Sequence, residues 1–453
     1  METTEPIAPT PSPVPDDDSF SRDELENVWP FLVASERVEG LLSLPRDEAE
    51  EFFFSLSAAD QAELIVTLPN ADRRSWFRLL APDDAADVLQ SSQLDIKDRE
   101  AMLGLLDEPT RKEVTGLLAY SQDAAGGLMS PRYARVRPEM SVDEAISYLR
   151  KQAREHLETI YYVFVLDVEQ HLLGVVSFRE LFIAKPDRLV REIMRTDLIT
   201  ANEHMDQEAV SRLFTQSGLI AIPVVDDENR LKGIVTVDDI VDVVQEEATE
   251  DMQKMGGTEA LDAPYMTIGI WRMIRKRGGW LAVLFLGEML TATAMGAFED
   301  EIHTATVLAL FLPLIISSGG NSGSQATTLV IRAMALGEVS LRDWWRVIRR
   351  EIGSGLALGG LLGTIGFLRI TAWHVFFHSY GEHFILVAVT IFFSLIGVVM
   401  FGTLAGSMLP FLLRLARLDP ASASAPAVAT IVDVSGLLIY FSVANLVLRG
   451  TLL

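Results

Sequence analysis

Two hydrophobic patterns divide the chain. From Trp280 onward apolar residues run in stretches long enough to cross a hydrocarbon layer, which takes about 20 residues of helix; before that they come in short phased groups separated by acids. The long stretches predict five membrane helices, at roughly 279–298, 304–330, 352–376, 384–412 and 424–448. They form a helical bundle, because backbone polar groups in lipid must be satisfied within each segment. In the third, Gly355, Gly359 and Gly363 recur every four residues, a spacing that lets another helix approach closely. The second contains the run GGNSGSQ, Gly319 to Gln325. Flexible polar backbone is tolerated at membrane depth where it is packed in protein or lines water, so a pore-lining break is expected there, with a packing bend as its rival.

The short groups predict different architecture. Leucine recurs every twelve residues, at 44, 56, 68 and 80, with Pro45, Pro69 and Pro82 beside three of the four. Each unit reads as a short helix opened by a turn residue, and residues 21–128 are expected to form an all-α superhelical domain. Residues 129–250 hold one pattern twice. The first copy has an amphipathic helix at 142–150, a strand at 160–166 and GVVSFREL at 174–181; the second has a helix at 207–214, a strand at 220–225 and GIVTVDDI at 233–240. A strand pair flanked by helices, repeated, is a tandem α+β module.

Charge separates the halves again. The first 270 residues carry 53 Asp and Glu against 25 Lys and Arg; the remainder carries 10 against 13. A surface this acidic repels nucleic acid and favours metal cations. Cysteine is absent, which excludes disulfides and thiolate metal sites. Residues 1–20, rich in Pro and Asp, read as a disordered tail without a signal peptide's features. Arg272, Arg275, Lys276 and Arg277 precede the first membrane helix, Arg342, Arg346, Arg349 and Arg350 separate the second and third, and Arg414 and Arg417 follow the fourth. The alternate loops carry no Lys or Arg, so the N-terminal half is expected in the cytoplasm and the C-terminus outside.

Two acids fall inside apolar segments, Glu288 and Asp433. Burying Asp at the membrane centre costs about 2.5 to 3.5 kcal/mol on insertion scales, so an intramembrane acid points to an ion path. Ala429 and Ala425 lie one and two turns before Asp433, giving the carboxylate a face of small residues with room for a hydrated ion. Asp419 and Pro420 read as a helix cap and first turn, and Pro426 is expected to free carbonyls a turn later. Mg²⁺ keeps most of its waters and is held by one or two carboxylates, which suits so sparse a site. For Glu288 a paired or water-facing acid stands beside a pore role. The run QEEATEDMQKMGG, 245–257, would place Glu246, Glu247, Glu250 and Asp251 along one side of a helix near Asp238, Asp239 and Asp242.

The repeated module resembles CBS domains. In that family a Ser or Thr three residues before an Asp can hold a nucleotide ribose, and Thr236 with Asp239 matches, whereas the first copy has Ser177 with Glu180. Order and motifs together are similar to the MgtE family of magnesium transporters: AGGLM at 125–129, paired CBS domains, EATED at 247–251, GGN at 319–321, then DPA and ATIVDVSGLLIYF. The resemblance implies a helical domain at 21–128, CBS domains at 129–193 and 194–246, a connecting plug helix at 247–275 and a five-helix pore domain at 276–453. It further implies a homodimer in the bacterial inner membrane, with Asp433 and Ala429 at a Mg²⁺ site lined also by Asn321, Ser324 and Ala425. Cytosolic Mg²⁺ would bridge Asp95, Asp239, Asp242, Glu247, Glu250 and Asp251 and hold the pore shut, and ATP would be a possible ligand of the CBS pair. Ala425 and Ser324 depart from side chains common in the family, which leaves selectivity open. The alternatives are a broader carrier of Co²⁺ and Mn²⁺, a CBS-regulated anion channel, which the intramembrane acids disfavour, and a non-transporting nucleotide sensor. No phosphate loop, catalytic triad or His-rich cluster marks an enzyme.

Overall fold

A computed structural model describes residues 21–91, 94–153, 157–261, 265–266, 268–378 and 380–452; the tail at 1–20 lies outside them. The chain divides into two units, Met1–Glu246 and Glu247–Leu453.

The first unit opens with eight short helices: α1 (Arg22–Val28), α2 (Ala34–Ser43), α3 (Arg46–Phe54), α4 (Ala58–Thr67), α5 (Asn70–Phe77), α6 (Pro82–Gln90), α7 (Ile96–Leu103) and α8 (Glu108–Leu117). Local chemistry starts them: Ser21, Ser57 and Asp95 each accept a hydrogen bond from the N–H three residues on, and proline sits in the first turn of α6 and α8, where its missing N–H costs nothing. The twelve-residue leucine period marks where the helices end. Leu44 and Leu68 are the C-cap residues that directly follow α2 and α4. Together with Leu80 they are buried, and they share a core with Trp29, Phe52, Phe53, Trp76 and Phe77.

Two copies of one module follow. After α9 (Ala125–Leu128) come β1 (Tyr133–Val136), α10 (Val142–Gln152), β2 (Thr159–Leu166), β3 (Leu172–Ser177), α11 (Phe178–Ile183) and α12 (Val190–Ile193), then β4 (Ala201–Asn202), α13 (Gln207–Ser217), β5 (Ala221–Val225), β6 (Leu231–Thr236) and α14 (Val237–Met255). In each three-stranded sheet the first strand pairs parallel with the second across a helix, and the second antiparallel with the third. Helix α14 runs on past Glu246 without a break.

The second unit holds α15 (Ile270–Ala297), α16 (Glu299–Thr304), α17 (Thr306–Ala309), α18 (Leu312–Ala335), α19 (Trp344–Phe377), α20 (Phe384–Leu415) and α21 (Ala425–Leu448). Five spans are long and apolar enough to cross a membrane: α15, α17 with α18, α19 with its preceding turn, α20 and α21. Helices α18, α20 and α21 form the centre, with Ile315, Val398, Val432 and Tyr440 fully buried. The Gly355, Gly359 and Gly363 face of α19 lies on α20, where added Cβ atoms would fall 2.7–2.8 Å from Met400, Ile396 and Phe392.

The expected break at GGNSGSQ does not occur: α18 is continuous helix from 312 to 335. Its glycines serve close packing instead. A Cβ on Gly402 would collide with the Gly319 carbonyl, and one on Gly406 with the Gly323 carbonyl. Thr327, 2 % exposed, closes the seam by donating to the Gly406 carbonyl at 2.8 Å. With neighbouring backbones this near, the helix keeps its own hydrogen bonds and gains contact. The polar residues fall on the other side: Ser317, Asn321 and Gln325, at helical spacing, are exposed.

Candidate metal-ion sites

In the first unit carboxylates from three elements converge. Helix α6 carries Asp83, Asp84 and Asp87; α14 carries Asp238, Asp239, Asp242 and Glu246; Glu158 precedes β2. Their charges act on one another across these elements. Burial, reinforced by Glu158, Asp84 and Asp239, pushes Asp83 up to about 8. Burial, with Asp84, Asp239 and Glu246, pushes Asp87 up to about 8 as well. Asp239 rises to about 7, mainly by burial, against the lowering effect of hydrogen bonds from Thr236. Glu158 is raised by burial first. Asp83 is 7 % exposed and its buried Oδ1 accepts no hydrogen bond among the described residues. A buried oxygen left in that condition is costly unless a cation or donor completes it.

These oxygens are hard donors that suit Mg²⁺ or Ca²⁺. Among the described residues no three His, Cys, Asp or Glu side chains close on one point as a direct coordination shell. The residues expected from motif are placed unequally. Asp239 and Asp242 belong to the cluster, with Asp242 acting on Asp84. Asp95 caps α7, accepting from the Asp98 N–H at 2.8 Å. Glu247, Glu250 and Asp251 are half-buried on the later part of α14. The α6 acids Asp83 and Asp87 are functional candidates that the sequence reading did not single out; their signal in the sequence is two acids at i and i+4 directly after a helix-starting proline.

Thr236 and Asp239 bond to each other. The threonine N–H and Oγ1 donate to Asp239 Oδ2 at 3.1 and 2.7 Å, and in the first copy Ser177 makes the same pair of bonds to Glu180 at 2.9 and 2.8 Å. The Ser177 pair is a helix-starting capping box, and the Thr236 pair makes the corresponding two bonds at the start of α14, so the shared spacing has a structural use in each copy.

In the second unit Asp433 lies half-buried on α21. The small-residue face before it is covered by α18: a Cβ on Gly320 would touch Ala429 Cβ at 3.6 Å, and Ser324 Oγ donates to the Ala425 carbonyl at 3.4 Å. These two contacts make the helices antiparallel and bring exposed Ser317 to within about one 1.5 Å residue rise of the level of Asp433. Asn321, whose amide reaches Ser317 Oγ at 3.5 Å, follows one turn along. Helix α15 runs on another side of α21. Trp280 Nε1 donates to Ser424 Oγ at 3.1 Å, and a Cβ on Gly287 would meet Thr430 Cγ2 at 2.7 Å, so these two helices are parallel and nearly in register. Glu288 therefore comes within about two residue rises, ~3 Å, of the depth of Asp433, and its charge acts on Asp433.

The foot of α21 also differs from expectation. Asp419 caps a short 3₁₀ turn, Pro420–Ser422, and Ser424 starts α21 afresh. Pro426 thus occupies the first turn of a new helix, where no intrahelical N–H is lost, and the freed carbonyls expected inside the helix do not arise.

An acidic helical domain, paired CBS-like modules and five helices long enough to cross a membrane, in that order, have the plan of a membrane transporter with a soluble N-terminal half. Family models agree: one described as a divalent cation transporter matches residues 312–443, the MgtE intracellular N domain matches 23–123, and the CBS domain matches 125–187 and 190–246. The magnesium transporter MgtE of Thermus thermophilus is 44 % identical over 348 residues, covering 76 % of this chain and 75 % of that one. The MgtE of Bacillus subtilis is 33 % identical over 345 residues, covering 76 % and 74 %. A crystal structure of the cytosolic domain of the Mg²⁺ channel MgtE in complex with ATP is 41 % identical, covers 49 % of this chain and 90 % of its own, and superposes with a TM-score of 0.46. The chain belongs to the MgtE family of magnesium transporters.

Proposed function

We propose that this chain conducts Mg²⁺ across a bacterial inner membrane as a homodimer, with its acidic unit in the cytoplasm, and that cytosolic Mg²⁺ closes it. The observation that carries the proposal is the pairing in depth of Asp433 and Glu288 on adjacent parallel helices. Among the described residues neither accepts a hydrogen bond or pairs with a base. Two such carboxylates in a membrane are tolerable where a cation visits them. Ser317 and Asn321 flank the same stretch with neutral oxygen donors, which suits an ion that keeps its water. A second copy of the chain would cover the exposed polar side of α18 and turn an open face into an enclosed path.

Regulation follows from the first unit. The α6 and α14 acids and Glu158 disfavour one another's charged forms, and an ion that binds them together, displacing their protons, favours the arrangement in which they are close. Asp83, with its unsatisfied oxygen, is a ligand of that ion alongside Asp87 and Asp239. A nucleotide at the second CBS copy would have to displace Asp239 from Thr236, so the gating step is assigned to the ion alone.

Uptake of Mg²⁺ into proteoliposomes, intact protein beside Asp433→Ala at equal reconstitution, is the test. Flux that the substitution abolishes supports the assignment. No flux from intact protein at low internal Mg²⁺ would favour a sensor, and equal flux in both would move the path away from Asp433. Competition by Co²⁺ and Mn²⁺ in the same assay separates a magnesium path from a broader divalent-cation path.

A further inference from the structure

Three chain segments of the second unit meet at the foot of α21. Asp419 Oδ1 accepts from the Ala421 N–H at 2.8 Å and so caps the turn before the helix. Its Oδ2 accepts from Lys254 Nζ, on the last turn of α14, at 2.7 Å. Lys254 also donates to Glu250, one turn earlier on α14. The surroundings are largely apolar: Met255 packs against Ile331, Ala421 and Ala423. At Gly257, where φ is +76°, the backbone comes so near that a Cβ would sit 3.2 Å from Pro426 and from Trp280. Trp280 then bonds Ser424, whose Oγ accepts from the Ala427 N–H at 3.4 Å and caps α21 itself.

The lysine is therefore the charged tie in a joint between the end of α14 and the two caps that start α21. Its side chain is about a quarter exposed, and both partner carboxylates are about a third exposed. A charge-assisted hydrogen bond in such a setting is shorter and stronger than a neutral one, and salt screens it less than a surface pair. Glu250 four residues before Lys254 is the favourable order on a helix and holds the ammonium toward Asp419. Partial burial alone would lower the proton affinity of Lys254, but the bonds to Asp419 and Glu250 outweigh it and raise it, so the ammonium stays charged at any working pH.

We infer that Lys254 is a built-in latch: its tethered ammonium fastens the last turn of α14 to the foot of the helix that carries Asp433, at a carboxylate pair a free divalent ion would otherwise bridge. Glu250 is then a positioning residue for Lys254 in this state rather than a Mg²⁺ ligand. The latch deepens the gating reading above and rests on it: releasing the foot of α21 from α14 makes the path harder to close.

Full-length protein in proteoliposomes, with flux read against internal Mg²⁺, tests it. Lys254→Met keeps the apolar stem, and Asp419→Asn keeps the cap to Ala421 while removing the charge. Each is expected to raise the internal Mg²⁺ for half-inhibition about tenfold, the loss of one charge-assisted bond. The double variant should go no further than either single one, because both remove the same bond, and Lys254→Arg should stay near the intact protein. An unchanged or lowered half-inhibition in Lys254→Met, or additive effects in the double variant, overturns the latch. Hydrogen exchange of the detergent-solubilised chain reads the joint without flux: faster exchange at 420–427 in Lys254→Met, with α20 unaltered, supports the latch, and unchanged exchange overturns it. Intact protein without Mg²⁺-inhibited flux would instead count against the proposed function, leaving the exchange result to decide the latch.

Discussion

Carboxylates do opposite things in the two units. In the first they are many and crowded, and Asp83, Asp87 and Asp239 are pushed from the ordinary value near 4 up to about 7 or 8 by burial and by one another. In the second they are few, and Asp433 and Glu288 stand together on neighbouring apolar helices. On the proposed function, crowding lets the soluble acids respond to ion concentration, because an ion bound among them offsets the mutual penalty on their charged forms, and sparseness lets an ion both reach and leave the membrane pair. One residue type would then serve a sensor where it is dense and a conduit where it is sparse.

Substitutions that remove one role and spare the other can break that comparison. The largest effect is expected from Asp433→Asn: Mg²⁺ flux falls to the level of empty liposomes, while protection of residues 83–87 and 238–246 from hydrogen exchange by millimolar Mg²⁺ is unchanged. Loss of that protection would mean that the two roles are not separable. Asp83→Asn should do the reverse, leaving maximal flux near normal and weakening inhibition by internal Mg²⁺ about tenfold, the worth of a lost charge-assisted contact. Full inhibition at the usual concentration would remove Asp83 from the sensor.

A pH series sharpens the same contrast. For an acid whose folded-state value lies above its unfolded one, the folded state binds the extra proton, so stability falls as pH rises from about 4 toward 8. Without divalent ions, exchange protection around α6 and the start of α14 should drop across that window. Saturating Mg²⁺ should flatten the drop, because an ion bound to the native carboxylates replaces the protons. A pH-independent profile without Mg²⁺ would show that the crowding is not felt.

Smaller effects probe the scaffold under each site. Gly402→Val forces a side chain against the Gly319 carbonyl and should cost about 1 to 3 kcal/mol by overpacking, seen as a lower unfolding temperature of the purified protein. Ser177→Ala removes the cap of α11 and should cost about 1 kcal/mol in denaturant titration, with no change in flux. Equal losses from both would deny the α18–α20 seam its special tightness.

Length and hydropathy determined the five membrane helices, because a lipid interior leaves a chain no other way to satisfy its backbone. Repetition, turn residues and capping pairs determined the paired modules and the short N-terminal helices, since these are local interactions between neighbours in sequence. Asp433 was legible for a similar reason: a charge in an apolar run needs no partner to be noticed. Three things were settled only by tertiary structure. GGNSGSQ became unbroken helix because its glycines meet the backbone of α20, some 80 residues away in sequence, a contact no local pattern encodes. Glu288 acquired its relation to Asp433 through the register of α15 on α21, set by Trp280 with Ser424 and Gly287 with Thr430. Asp83 and Asp87 gained their raised values from burial and from the charges of α14, and both depend on where a distant helix lies. Sequence carries what neighbours along the chain do to one another; burial, register and the summed field of charges arise between segments that only folding brings together.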